Sequence, residues 1–172
     1  MTDHDPAGAG PPDARFADGR EAPLRLRACD AEDLAVLSAL VQDAVFPASE
    51  MRLIRRGRRC VVLLNRFRWE DGGRRPERVQ ALLVVQDVIA AATEGFAPGD
   101  ADTVLSLLAL DFAPGPDGTG RLTLTLSGDG ALHLDVECLE VLLSDVTRPY
   151  AAPSGRVPAH PDAGPGGSSG TP

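Results

Sequence analysis

Between Leu24 and Val146 the chain alternates short apolar stripes with polar breaks, mostly at period two. LRLRA (Leu24 to Ala28) alternates cleanly and predicts a short strand. DAEDLAVLSALVQDA then changes period, setting Leu34, Leu37, Val41 and Ala44 on one helical face. Asp30 stands at the N-cap position, and Glu32 and Asp33 suit the positive end of a helix dipole. Pro47 closes this helix. EMRLIRR and RRCVVLLNRFRWE flank a turn at Gly57 and predict a hairpin. DGGRRP is a loop, and ERVQALLVVQDV reads as one further strand. TVLSLLALDF follows the loop APGDAD and precedes the turn APGPDGTG.

GRLTLTLSGDGALHLDVE carries the clearest hairpin pattern, with Leu122, Leu124, Leu126 and Leu132, Leu134, Val136 on one inner face. The expected register sets Leu126 against Leu132 and Leu124 against Leu134, turning at Gly128, Asp129 and Gly130. It would set Thr125 opposite His133, Thr123 opposite Asp135 and Arg121 opposite Glu137. ECLEVLLSDV (Glu137 to Val146) spaces Leu139, Leu142, Leu143 and Val146 as a C-terminal helix would, and Pro149 stops it. Strand, helix, hairpin-joined strands and helix together predict an α+β domain. The expected sheet is mainly antiparallel, of about six to seven strands, curved or closed to a half-barrel. It has one helix in the N-terminal half and one at the C-terminus, a pleckstrin-homology-like arrangement by analogy.

Composition sets the boundaries. Residues 1–22 and 151–172 are rich in Pro, Gly, Ala and Asp with almost no large apolar side chain, so disordered tails are expected around one domain over 23–150. No apolar run reaches the roughly 18 residues of a membrane span, and MTDHDPAGAGPPDAR is no secretory signal, which makes the cytoplasm the expected location. Cys29, Cys60 and Cys138 lie far apart beside apolar residues and read as small buried hydrophobes.

Charge adds one feature. The chain has a net charge of −8 and every basic residue is arginine, yet ten of its 17 arginines fall between Arg52 and Arg78. Arg55, Arg56, Arg58, Arg59, Arg66, Arg68, Arg74 and Arg75 are therefore candidates to meet a partner. Phe67 and Trp69 interleave with Arg66 and Arg68 like a stacking platform for single-stranded nucleic acid. Strand alternation separates them, however, and the surrounding domain is acidic. Nucleic acid is accordingly the weaker reading of the Arg52–Arg78 segment, and an acidic protein partner the stronger. The arginines are expected at the margin, where the strand leaves the core.

His133, Asp135 and Glu137 share the outer face of one strand and are the metal or small-ligand candidates. Alternate residues sit roughly 6.5–7 Å apart, so two could reach one ion and a third ligand would have to come from elsewhere. Asp43, Asp87 and Asp111 punctuate apolar runs near element ends. A buried carboxylate there would be a general-acid candidate, and an exposed one would not. The folded unit holds a single histidine and no GxSxG, GxxxxGK[ST] or GxGxxG motif, which supplies neither a nucleophile with its base nor a nucleotide cradle. No cofactor is implied.

LRLRACDAEDLAVLSALVQDAVF, RRCVVLLNRFRWE, VLSLLALDFAPG and HLDVECLEVLLSDV, in this order, resemble a family of small, mostly alphaproteobacterial proteins defined only as a domain of unknown function. The resemblance spans Leu24 to Val146. It implies a single-domain bacterial cytosolic protein and carries over no activity, ligand or functional residue. The expected role is a small non-enzymatic interaction module whose Arg-rich hairpin meets an acidic partner. The rival is an enzyme, metal-binding or small-ligand protein built on the His133, Asp135 and Glu137 face. Monomer and homodimer, the latter through an unpaired edge strand, are both open.

Overall fold

The computed structural model describes residues 22–71, 76–153 and 155. His4, Arg74, Arg75, His160 and most of both expected tails lie outside the described residues. In chain order the elements are β1 (Arg25–Ala28), α1 (Ala31–Val41), β2 (Ala44–Pro47), β3 (Met51–Ile54), β4 (Arg59–Phe67) and β5 (Glu77–Val85). Then follow β6 (Val88–Glu94), β7 (Val104–Pro114), β8 (Gly120–Leu126), β9 (Ala131–Val136), β10 (Val141–Asp145) and β11 (Tyr150–Ala151). The strands form one 11-stranded sheet in the order β1-β10-β5-β4-β2-β7-β8-β9-β6, with β11 on β5 and β3 on β4. Every pairing is antiparallel.

This overturns the expected α+β domain of six or seven strands with two helices, since 11 strands accompany a single α-helix among the described residues. The expected C-terminal helix is β10. Its inner face is Val141, Leu143 and Asp145, while Leu142 is half-buried and Val146 is 49% exposed. A short apolar run fits both periods, and pairing along β1 and β5 decides for the strand. The first helix ends early, at Val41, and Asp43 then turns the chain with φ 59 while its N–H bonds Leu107 O at 2.8 Å. Ala44 consequently belongs to β2 and pairs with Leu107 of β7.

β5 and β6 are joined only by Gln86 and Asp87, yet they stand far apart in the sheet order. The sheet must roll up for so short a link to span them. Val88 N donates to Arg58 O at 2.8 Å, which brings the start of β6 against the β3–β4 turn. One apolar cluster fills the interior, drawing Val62, Leu64 and Leu83 from one half of the sheet and Leu122, Leu124 and Leu134 from the other. Helix α1 adds Leu34, Leu37 and Val41 to it. Asp30 caps the helix as expected, accepting from Asp33 N at 2.8 Å.

The β8–β9 hairpin keeps its leucines inward, but in another register. Leu124 opposes Leu132, Leu122 opposes Leu134, Thr123 opposes His133 and Arg121 opposes Asp135. A two-residue shift leaves every side chain on the same face, so apolar patterning cannot tell the two registers apart. The turn decides: Leu126 N bonds Gly130 O at 2.8 Å, and Gly128 (φ 74) and Asp129 (φ 60) take the left-handed positions. Phe112 of β7, paired with Leu122, lays its ring where Gly120 would carry a Cβ.

Gly120→Ala would therefore drive a methyl into the Phe112 ring and the Ala113 carbonyl. The expected loss is about 1–3 kcal/mol in urea unfolding. An unchanged midpoint would show that the ring yields freely.

Candidate functional site

β4 brings arginines to both ends of its length, and the two groups differ in kind. Cys60, Val62, Leu64 and Arg66 share its inner face, so Arg66 continues the core stripe and is fully buried (0% exposed). Its Nε and Nη2 donate to Asp145 Oδ1 and Oδ2 at 2.9 and 2.8 Å. Nη2 and Nη1 also donate to Glu70 Oε1 and Oε2 at 2.6 and 2.9 Å. Nη1 further reaches Phe67 O at 3.4 Å, so each of the five guanidinium N–H groups has an acceptor. Burial alone would lower the Arg66 pKa, but the two carboxylates raise it above the ordinary value and keep the charge. Partial burial likewise opposes ionisation of Glu70, yet the Arg66 hydrogen bonds and the Arg66 and Arg68 charges hold its carboxyl below its usual range. Arg68 is also turned inward and donates to Glu77 Oε2 at 2.6 Å. The margin expected for these two arginines is in fact the sealed end of the core.

The aromatic residues beside them are covered as well, on the opposite face of the strand. Phe67 is 0% exposed, its ring lies 4.7 Å from that of Trp69, and Trp69 Nε1 donates to Gln42 O at 3.1 Å. No open stacking platform exists between them.

The other group stands on the β3–β4 turn. Arg55–Gly57 form a tight 3-10 turn, and Arg58 adopts the left-handed conformation (φ 48, ψ 46). Glycine stands one residue earlier, at Gly57, and gives that strain no relief. Arg58 Nη2 pairs with Glu137 Oε2 at 2.8 Å. Arg52, Arg55, Arg56 and Arg59 are exposed and meet no carboxylate among the described residues. Beside this turn lies a groove of about 590 Å³, lined by Leu53, Arg55, Arg58 and Glu137 and by Val88, Ile89, Ala90 and Ala91 of β6.

The His133, Asp135 and Glu137 face is dispersed among other partners. His133 Nδ1 lies 3.1 Å from Thr123 Oγ1, and its Nε2 is 3.6 Å from Glu94. Asp135 accepts a fork from Arg121 at 2.7 and 3.1 Å, which holds its carboxyl below the ordinary range. Only Glu137 lines the groove. Among the described residues no three of His, Cys, Asp and Glu gather as a metal site would require.

Two of the three punctuating aspartates have a conformational purpose. Asp43 and Asp87 sit at chain corners with positive φ, where Asp is among the few tolerated side chains, and Asp111 is exposed on β7. Of the cysteines only Cys60 is buried, and desolvation pushes its thiol up to about 11. Cys29 and Cys138 are exposed, against expectation, because each follows the last residues of its strand into a loop. Cys138 donates to Asp87 Oδ2 at 3.4 Å, and this bond raises its pKa away from the thiolate form. No described helix is long and apolar enough to cross a membrane.

These features define a rolled antiparallel sheet with an arginine-tipped hairpin beside a groove of mixed polar and apolar lining. A family model described as a protein of unknown function, DUF2948, matches residues 24–160, and the chain belongs to that family. No curated protein and no solved structure matches the chain.

Removing the Arg66 charge strands Glu70 and Asp145 at the end of the core. Arg66→Met is expected to cost about 3–5 kcal/mol in urea unfolding, against less than about 0.5 kcal/mol for Arg55→Ala. Equal costs would show the network to be dispensable. Because the folded-state pKa of Glu70 is depressed, its stabilisation is complete above about 4.5 and is lost as pH falls through the lower folded value. Glu70→Gln should therefore shrink the melting-temperature difference from the parent below pH 4.5, and a difference that stays constant with pH would refute this.

Proposed function

We propose that this protein is a non-enzymatic interaction module of the bacterial cytoplasm, which meets an acidic partner through the β3–β4 hairpin. The observation that carries the reading is a division among the arginines. Arg27, Arg58, Arg66, Arg68 and Arg121 are each engaged by a carboxylate. Arg52, Arg55, Arg56 and Arg59 crowd onto one exposed hairpin with none among the described residues, whereas Arg25, Arg78 and Arg148, which also meet none, lie on other segments. In a chain of net charge −8, unneutralised cations at one place form a local positive field. At a Debye length of about 8 Å the partner feels that field more than the distant acids. Guanidinium forks suit carboxylates in geometry as well as sign.

A partner reading also accounts for exposed apolar side chains beside the cations. Leu53 (40%), Ile54 (45%) and Ile89 (59%) flank the same turn, and apolar contact within a charged rim is the usual anatomy of a protein interface. Nucleic acid is disfavoured by the burial of Phe67 and the acidic surround, and a ligand site on the His133 face by the dispersal of its members.

Panning a random twelve-residue phage library on the protein at low salt should enrich Asp and Glu over the starting library. Arg55→Glu combined with Arg56→Glu should abolish that enrichment, because both side chains are exposed and the fold does not depend on them. Selected peptides with no acidic bias would overturn the proposal.

A further inference from the structure

The geometry points to strand addition as the way the acidic partner docks: an extended segment lies along β6 in the groove, alternating apolar and acidic side chains. This rests on the acidic-partner reading above and adds the backbone register to it.

β6 ends the sheet order and pairs only with β9, so its other edge has no strand partner among the described residues. The edge starts at Val88, whose N–H is taken by Arg58 O, and continues through Ile89, Ala90, Ala91, Ala92, Thr93 and Glu94. Soluble proteins guard such edges with Lys, Arg, Pro or a covering element. β6 carries none of these residues, and its single charge waits at Glu94. Its one irregularity is the bulge between Val88 and Ala90. Ile89, Ala90, Ala91 and Ala92 are all exposed. Small side chains leave the backbone of this edge open to approach.

The groove selects what can approach. Its far wall is the β3–β4 hairpin, since Leu53 and Arg55 line it together with Ala90 and Ala91. Among the described residues β3 pairs only with β4, so it too presents an unpaired edge. A second folded copy entering by its own β6 would have to bring its β9 past that wall, whereas a single extended chain needs about 4.8 Å of lateral space on each side. The occupant is therefore a peptide segment rather than another copy. Alternation then fixes its composition. Side chains on one face of an added strand meet Leu53, Val88 and Ala91, and those on the other turn outward beside the arginine tip. Apolar residues fit the first set, and Asp or Glu the second.

The test uses three blocked octapeptides: alternating Val and Glu, a block isomer of four Glu then four Val, and alternating Val and Lys. Binding is read by calorimetry, and amide hydrogen exchange is followed over Ile89 to Thr93. The alternating Val–Glu peptide should bind about tenfold tighter than its block isomer, the gain from one or two added backbone hydrogen bonds. It should slow exchange along β6, and N-methylation of alternate residues on its bonding edge should remove the advantage. The Val–Lys peptide should not bind. If both acidic peptides bind equally and β6 exchange is unchanged, strand addition is overturned while the acidic-partner reading stands. If neither acidic peptide binds at millimolar concentration, both fall. If the free protein sediments as a dimer with β6 amides already protected, a second copy holds the edge and strand addition is overturned.

Discussion

Removing a guanidinium from water is expensive unless every N–H finds an acceptor, and at Arg66 two carboxylates and one carbonyl answer all five. Much of the fold follows from this. Asp145 must point inward from β10, which requires residues 141–145 to be extended with Val141 and Leu143 on the same face. Asp145 Oδ2 also accepts from Leu24 N at 3.1 Å, fixing the approach of β1. Glu70 folds back over the end of β4 from the short turn Trp69–Asp71. β4 itself has aliphatic residues on both faces, Val61 and Leu63 outside and Val62 and Leu64 inside. Such a strand specifies its register weakly by hydrophobicity alone. The ion network supplies what the aliphatics leave open, because a slip of β10 along β5 would leave charge buried and unmet.

The same network explains where the sequence misleads. Leu139, Leu142, Leu143 and Val146 make a convincing helical stripe, and nothing local reveals that Asp145 has a partner 79 residues away. The parity of Arg66 was legible, since it continues Val62 and Leu64. Its burial was not, because an arginine at a strand end is normally solvated. Patterning was strong where one face is buried and neighbours are close, as in β8–β9. It failed at β6, where VIAAATE offers no alternation to detect. Register within β8–β9 escaped for a different reason: the apolar period is two, and an error of two residues is invisible to it. Asp43 and Asp87 look like chemistry in an apolar run and serve as left-handed corners. Aspartate's tolerance of that conformation, and not its acidity, is the signal they carried.

Charge is distributed accordingly. Carboxylates are matched to arginines at the sealed end of the core and along the outer face of β8–β9, where Arg121 meets Asp135. Arg25, Arg78 and Arg148 meet no carboxylate among the described residues either, but only at the β3–β4 turn do four such arginines crowd together. Four exposed arginines side by side repel one another, and a fold with 25 acids had ample means to neutralise them. Their clustering next to an unguarded strand edge gives two unmet valences at one place, one electrostatic and one of backbone hydrogen bonding. A segment offering both carboxylates and an extended backbone satisfies the two together.

Arg58 joins these halves. A non-glycine residue in the left-handed region costs about 1–2 kcal/mol, and glycine there would remove the cost. Glycine would also remove the guanidinium that binds Glu137 at 2.8 Å, and with it the side-chain tie between the hairpin and the bend just after β9. The backbone at the same residue holds Val88 through its carbonyl. One strained position therefore fixes the distance between the hairpin wall and the β6 edge, and so the width of the groove. Preorganisation of this kind lowers the cost of ordering the hairpin on binding.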